Sequence, residues 1–241
     1  MRQIWIIAKR ELQSFFDSLI AYIMMIAFLG FSGFFTWLYG GDVFFVGQAS
    51  LQTFFEVAYW TLFFFIPALT MRLFAEENRS GTIELLLTRP VSDWQVVTGK
   101  FLSTVILIAI ALLLTVPYYI TVANIGNIDH GAVITGYLGL ILMSAAYISI
   151  GIYTSSITNN QIVAFLLTIF IGIFFHLICG ILAHSMGGTM GTFFNYLSLQ
   201  NHFNSIARGV IDSRDIIYFA SIITLGLVAT EATLARRNAS K

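Results

Sequence analysis

Residues 72–100 read Arg-Leu-Phe-Ala-Glu-Glu-Asn-Arg-Ser-Gly-Thr-Ile-Glu-Leu-Leu-Leu-Thr-Arg-Pro-Val-Ser-Asp-Trp-Gln-Val-Val-Thr-Gly-Lys. The stretch holds four acids and four bases, while the sequence on either side is apolar enough to sit in lipid. Glu76 and Glu77 lead to a Ser80-Gly81-Thr82 break, and a short run over 82–88 ends at Arg89-Pro90. Pro90 cannot continue a helix, and it pushes Arg89 away from helical dihedrals. Ser92 with Gln95 has the spacing of a capping box that opens the next helix. The expectation is a short amphipathic helix clamped between two breaks, on a connector between two membrane spans. Another protein can grip such an element.

Composition makes the surroundings lipid rather than water. Hydrophobic residues are 58% of the chain and charged ones only 10%, against roughly 25% in soluble domains. Between His130 and Ala207 there is no Asp, Glu, Lys or Arg. A soluble fold cannot keep so long an uncharged, Phe- and Ile-rich segment in solution, so the chain is a polytopic membrane protein. A net charge of zero without a basic stripe gives no footprint for nucleic acid. A single cysteine, Cys179, excludes an intrachain disulfide. The charge-free run over 18–41 is 24 residues long, beyond the roughly 7–15 of a signal-peptide core. It reads as a retained first span.

A span needs about 20 apolar residues, and six stretches qualify: 18–40, 53–71, 101–123, 132–154, 162–183 and 216–234. A polar, uncharged turn over 155–161 parts the fourth from the fifth. With the amino terminus in the cytoplasm, 10 of the 12 basic residues fall on cytoplasmic segments and only Arg208 and Arg214 fall outside. Basic residues favour that side, so both termini and the 72–100 connector are expected inside. Ahead of the first span, Ile4, Trp5, Ile7, Ala8, Leu12, Phe15 and Phe16 recur at helical spacing among Lys9, Arg10 and Gln13. That pattern suits an amphipathic helix over 3–16 lying on the inner membrane surface. The outer segment over 185–214 is too apolar for a solvated loop and too short for two spans. A re-entrant hairpin covered by protein fits it. The fold class is thus all-α, with six membrane helices in one domain over 1–241.

The chain carries no chemistry of its own that composition can reveal. Gly99-Lys100 lacks the upstream glycine and following Ser/Thr of a phosphate cradle, and Lys100 reads as a membrane-anchoring lysine at a helix start. His176 and Cys179 share a helix face and His184 follows two turns on, but no carboxylate or second cysteine joins them. A packed histidine is the simpler account of His176 than a soft-metal site. Proton relays need ionisable groups inside spans, and the acids Asp17, Glu56, Asp42, Asp129 and Glu231 all stand toward span ends. Small residues within spans (Gly30, Gly33, Gly136, Gly139, Ser144, Ala145, Gly151, Gly172) suit close helix approach, either inside the bundle or at a dimer seam.

Several words of the sequence also resemble a known family. They are Lys9-Arg10-Glu11-Leu12 with Phe15-Phe16, Phe74-Ala75-Glu76-Glu77, Gly81-Thr82-Ile83-Glu84-Leu85-Leu86-Leu87-Thr88, Pro90-Val91-Ser92 and Val97-Thr98-Gly99-Lys100. The chain resembles the permease subunits of type-two ABC exporters over its full length. Within them it is most similar to the gliding-motility-associated permease, the F subunit of the Gld system. Asn124-Ile125-Gly126-Asn127-Ile128-Asp129, Tyr137-Leu138-Gly139, Asn159-Asn160-Gln161-Ile162-Val163-Ala164-Phe165 and Arg208-Gly209-Val210-Ile211-Asp212 carry the narrower likeness.

The resemblance implies a half-transporter in a bacterial inner membrane that pairs with a second copy or a sister permease. Two copies of a separate ATPase, which bind the ATP and Mg, dock from the cytoplasm, and a larger Gld-type membrane companion joins. This chain then has no cofactor and no catalytic residue. The ATPase-coupling residues are Glu76, Glu77, Gly81, Thr82, Ile83, Glu84, Leu85, Leu86, Leu87 and Arg89. Two other readings stay open: a non-transporting membrane scaffold for a cytoplasmic partner, and an intramembrane enzyme or copper-related carrier built on His176 and Cys179. Phe-lined spans suit a lipid, a polysaccharide-lipid or an apolar peptide as cargo, although Phe is also ordinary lipid-facing filler.

Overall fold

A computed structural model describes residues 2–39, 49–81 and 91–239. The run over 82–88 therefore lies outside the described residues, as does Arg89. Helices α1 (Arg2–Asp17), α2 (Leu19–Trp37), α3 (Gln52–Thr70) and α4 (Arg72–Ser80) come first. They are followed by α5 (Asp93–Leu113), α6 (Val116–Ile125), α7 (His130–Ile157) and α8 (Gln161–Ile173). A π-helical turn (Phe174–Ile178) leads into α9 (Cys179–Ser185), and α10 (Gly188–Leu197), α11 (Leu199–Ala207) and α12 (Ser213–Ala239) complete the chain. Among the described residues, 6 stretches are long and apolar enough to cross a membrane: α2, α3 with α4, α5 with α6, α7, α8 with α9, and α12.

Helix α7 is the post around which the others stand, touching α3, α4, α5, α8, α11 and α12. It is 72% buried over its most apolar window, against 17% for α12. Its small residues explain that position, because they let neighbouring helices come close. Gly136 meets the Phe55 ring, Gly139 meets Phe203 and Ile206, and Gly151 meets the Thr70 side chain. From the neighbours, Gly172 receives the Tyr147 ring and Gly226 receives Ser149. Most of the small residues picked from the sequence thus pack inside the bundle; Gly30 faces open space. A Cβ on Gly151 would overlap the Thr70 hydroxyl and lie 2.8 Å from Thr70 Cβ. Gly151→Ala is expected to lower stability by about 1–3 kcal/mol, as overpacking does, measured by denaturant titration in detergent. Adding Thr70→Ala should restore only part of the loss, because the Thr70 Cβ position stays.

Two spans are broken where the sequence suggested continuous helices. The third is interrupted between α5 and α6, with Pro117 in the first turn of α6, since proline lacks the N–H that a helix interior needs. The fifth carries the π-helical turn that places His176 in the core. The second span ends at Met71 as expected, and the chain bends there into α4. The polar turn expected over 155–161 is shorter than that. Helix α7 runs on to Ile157, and Ser155 and Ser156 are buried within it.

At the end of the bundle where α3 and α7 begin, α10 and α11 fill the segment expected to be an outer hairpin. Leu199, His202, Phe203 and Ile206 on one face of α11 are buried, with Phe203 stacked on Tyr59 at 4.8 Å. His202 Nε2 donates to the Tyr196 carbonyl at 3.0 Å, its Nδ1 faces Asp215 Oδ1 at 2.6 Å, and Tyr218 Oη donates to the Leu197 carbonyl at 2.6 Å. These bonds tie the segment to the start of α12.

Candidate functional site at the α1 end

The opposite end carries the flanks of the charged connector, and its geometry starts with the bend in the second span. Pro67 has no N–H to offer the helix ladder. One turn on, Ser155 Oγ of α7 inserts into the ladder: it donates to the Met71 carbonyl at 2.9 Å and accepts from Phe74 N and Ala75 N, each at 3.0 Å. Ala75 N would otherwise reach back to Met71, so an inserted hydroxyl at this point makes the bend. Helix α4 then lies against the end of α7 through Leu73, Phe74 and Ala75. Asn78 Nδ2 donates to the carbonyls of Ser156 at 3.3 Å and Thr158 at 3.0 Å. The α4 segment is thus latched to the turn between the fourth and fifth spans.

Both sides of 82–90 are defined stops. Gly81 ends α4 at φ 70°, a left-handed cap that glycine adopts without a Cβ penalty. On the far side the capping box expected from the sequence is present. Ser92 Oγ accepts from Gln95 N at 3.4 Å, and Gln95 Oε1 accepts from Ser92 N at 3.3 Å.

Lys100 is not the membrane-anchoring lysine its position suggested. It is 1% exposed, and its Nζ lies 2.8 Å from Glu77 Oε1 on α4 and 3.4 Å from Glu11 Oε1 on α1. It also stands 5.1 Å from the centre of the Phe74 ring. A lysine reaching for headgroups would leave Glu77 half-buried without a counter-charge and Glu11 with Arg10 alone, and that cost outweighs snorkelling. Helix α1 comes close enough because position 99 is glycine: a Cβ there would lie 2.7 Å from the Ile7 side chain. Thus part of the apolar face of α1, Ile4 and Ile7 with buried Ala8 and Phe15, packs on protein; Trp5 and Ile6 are exposed. Arg72 adds a second link, lying 4.9 Å over the Phe15 ring and donating to Ser18 Oγ at 3.4 Å.

The resulting cleft, about 520 Å³, is lined by Arg10, Glu11, Arg72, Glu76, Glu77 and Lys100 among others. Burial raises the Glu11 carboxyl, but Lys100 and Arg10 together outweigh it and hold the group below its usual 4.5. Glu77 Oε2 is buried and has no partner among the described residues. Of the coupling residues read from the sequence, Glu77 is in the clasp and Glu76 and Gly81 are exposed beside it. Glu11, Asn78, Lys100 and Ser155 have no part in coupling in the sequence reading, with Lys100 expected as a membrane anchor and Ser155 in a polar turn. The serine pair inside an uncharged apolar stretch was their one visible signal.

The histidine and cysteine face resolves differently. His176 Nδ1 is hydrogen-bonded to Tyr59 Oη, and the ring is enclosed by Tyr59, Phe63 and Tyr147. Cys179 is buried. Among the described residues no three His, Cys, Asp or Glu side chains gather to hold a metal.

Six apolar spans among the described residues, one of them an uncharged central post, define a multi-pass membrane protein. The family model described as ABC-2 family transporter protein matches residues 5–230, and the chain belongs to that family. Among curated proteins none matches the chain. Membership makes it a membrane permease component of an ABC transporter, with an ABC ATPase and the lipid bilayer as its partners.

Proposed function

We propose that this chain is the membrane half of an ATP-driven exporter of the gliding-motility type, driven by a separate ATPase that grips residues 82–88 from the cytoplasm. The observation that carries the reading is the clasp. The two stops around 82–90 are joined to each other and to α1 through Glu77, Lys100 and Glu11, so a push on that segment moves α1, α4 and α5 as one piece. The Asn78 and Ser155 bonds pass the motion to the fourth and fifth spans. The bend at Met71 is where α4 swings against α3.

In this reading ATP binding closes two ATPase subunits, the lever tilts the second and third spans, and a pathway opens at the seam with a second permease copy or a sister permease. Buried aliphatics supply the grip, through Ile83, Leu85, Leu86 and Leu87. Rim charges (Glu76, Glu84, Arg89) set orientation. Both termini lie in the cytoplasm of a bacterial inner membrane, the exposed Trp5 and Ile6 of α1 sit among headgroups, and a larger Gld-type companion joins. Phe203 packs on Tyr59, seven residues into α3 and about 10 Å from its start, which favours a re-entrant α10–α11 pair. No cofactor is held by this chain; ATP and Mg belong to the ATPase.

Leu86→Asp tests the grip. Co-purification with the ATPase and permease-stimulated hydrolysis should fall at least about tenfold, since removing one buried leucine contact costs 2 kcal/mol or more. Helicity of the bundle should be unchanged. Full binding and full stimulation in that variant would place the grip elsewhere.

A further inference from the structure

At the end of the bundle away from the clasp, two cavities share Glu56 and Asn204. The first, about 630 Å³, has a mixed polar and apolar lining and lies where α3 and α7 begin; Gln52, Asp129 and Arg208 also line it. The second, about 810 Å³, is a groove between α2 and α3 walled by Phe31, Phe35, Trp60 and Phe64. Val57, Trp60, Thr61 and Phe64 follow one another down the same face of α3, so the groove runs about 12 Å into the span from Glu56. Its Phe31 and Phe64 rings are exposed.

The charges of the first cavity are poorly used within the chain. Asp129 Oδ1 already caps α7 through Ala132 N at 3.1 Å. Glu56 receives one long bond, from Gln52 Nε2 at 3.4 Å, and stands a full turn inside the second span. A carboxylate there is costly unless a cation covers it. Arg208 makes no ion pair among the described residues, with Glu56 or any other acid. With Asp129 engaged in its cap, the lining offers a carboxylate and a guanidinium that do not pair with each other, one attractive position for each sign of charge. It complements a molecule carrying both charges a short distance apart.

The geometry points to a zwitterionic phospholipid with an amine headgroup as the occupant. Its ammonium lies at Glu56, beside Trp60, the ring type that binds cations best. Its phosphate takes the fork of Arg208, which matches such oxygens in pairs. One acyl chain follows the Phe31–Phe64 groove toward the middle of the bilayer. This deepens the exporter reading and rests on it for the role of the site as a cargo station; occupancy itself requires no ATPase.

Trp60 reports on the groove directly. In the full chain with Trp5, Trp37 and Trp94 changed to Phe, Trp60 is the one indole left of 4. In nanodiscs of unbrominated phosphatidylglycerol, its fluorescence is quenched by added phosphatidylethanolamine or phosphatidylglycerol brominated on the acyl chain. The ethanolamine lipid should associate about fivefold more strongly, the most that an exposed ion pair supplies. Glu56→Gln should bring the two lipids to parity, and Arg208→Gln should weaken the ethanolamine lipid. Both side chains are exposed, so neither change should alter helicity or thermal transition. Equal quenching by the two lipids in the parent chain, or a preference that survives both substitutions, would overturn the assignment. A preference for the ethanolamine lipid combined with full ATPase coupling in Leu86→Asp keeps the site and removes the proposed grip. Parity combined with lost coupling does the reverse.

Discussion

Replacing Lys100 by methionine is expected to cost about 3–5 kcal/mol of stability, the usual penalty for stranding buried charge. The methionine fills the space of the stem but leaves Glu77 without its cation and Glu11 with the exposed Arg10 alone. A second expected result follows in function: α1 and α4 no longer move as one piece, so ATPase stimulation drops even where the protein still folds. Adding Glu77→Gln and Glu11→Gln removes the stranded charges. The triple variant should recover most of the stability and none of the coupling, which separates the energetic role from the mechanical one.

Acid titration gives an independent check on the same cluster. The Glu11 carboxyl titrates below 4.5 in the folded chain, so its ionised form stabilises the fold above that value. The contribution is lost as pH falls through the lowered folded value. In Lys100→Met the main opposing charge is gone and burial pushes Glu11 up, so acid should weaken that variant less than the parent. Denaturant midpoints measured across this range decide the matter; parallel pH profiles for parent and variant would mean that the lysine does not hold the carboxylate.

Ser155→Ala should have the second largest effect, about 2 kcal/mol, because it strips a hydroxyl from three buried backbone groups at once. Part of the loss is recoverable, since Ala75 N can bond again to the Met71 carbonyl. That repair re-forms one bond of the ladder at the bend and leaves Phe74 N without Ser155 Oγ. Hydrogen exchange at the Phe74 amide is then expected to accelerate about thirtyfold, the rate equivalent of that free-energy loss. The ATPase should still bind, because residues 82–88 are untouched, yet its stimulation should fail. Binding without stimulation distinguishes a broken hinge from the lost grip of Leu86→Asp. Unchanged exchange and unchanged stimulation would show that the bend does not depend on Ser155.

The reading of the fold from sequence succeeded where a single segment's own composition decides the outcome. Span count follows from runs of apolar residues, because each membrane helix must satisfy its backbone internally whatever its neighbours do. The Ser92–Gln95 box and the Gly81 stop are likewise local, set by side chains three residues apart or by one dihedral. Breaks were harder. Pro117 lies within a stretch apolar enough to pass for continuous helix, and the π-helical turn at Phe174–Ile178 has no composition of its own.

What the sequence by itself determined about this protein is its membrane class, the six spans found among the described residues, and the position of its charged connector between the second and third. Those depend on hydrophobicity and on signals a few residues long. Only the tertiary structure decided that Lys100 is buried between Glu11 and Glu77, and that Ser155 enters a helix whose Met71 carbonyl lies 84 positions away in sequence. Only it brought Arg208 and Glu56 to one cavity. Charges and hydroxyls are satisfied by whichever partner packing delivers. In a bundle whose helices cross at glycines and serines, that partner is set by the contact between helices and not by the residues next in line.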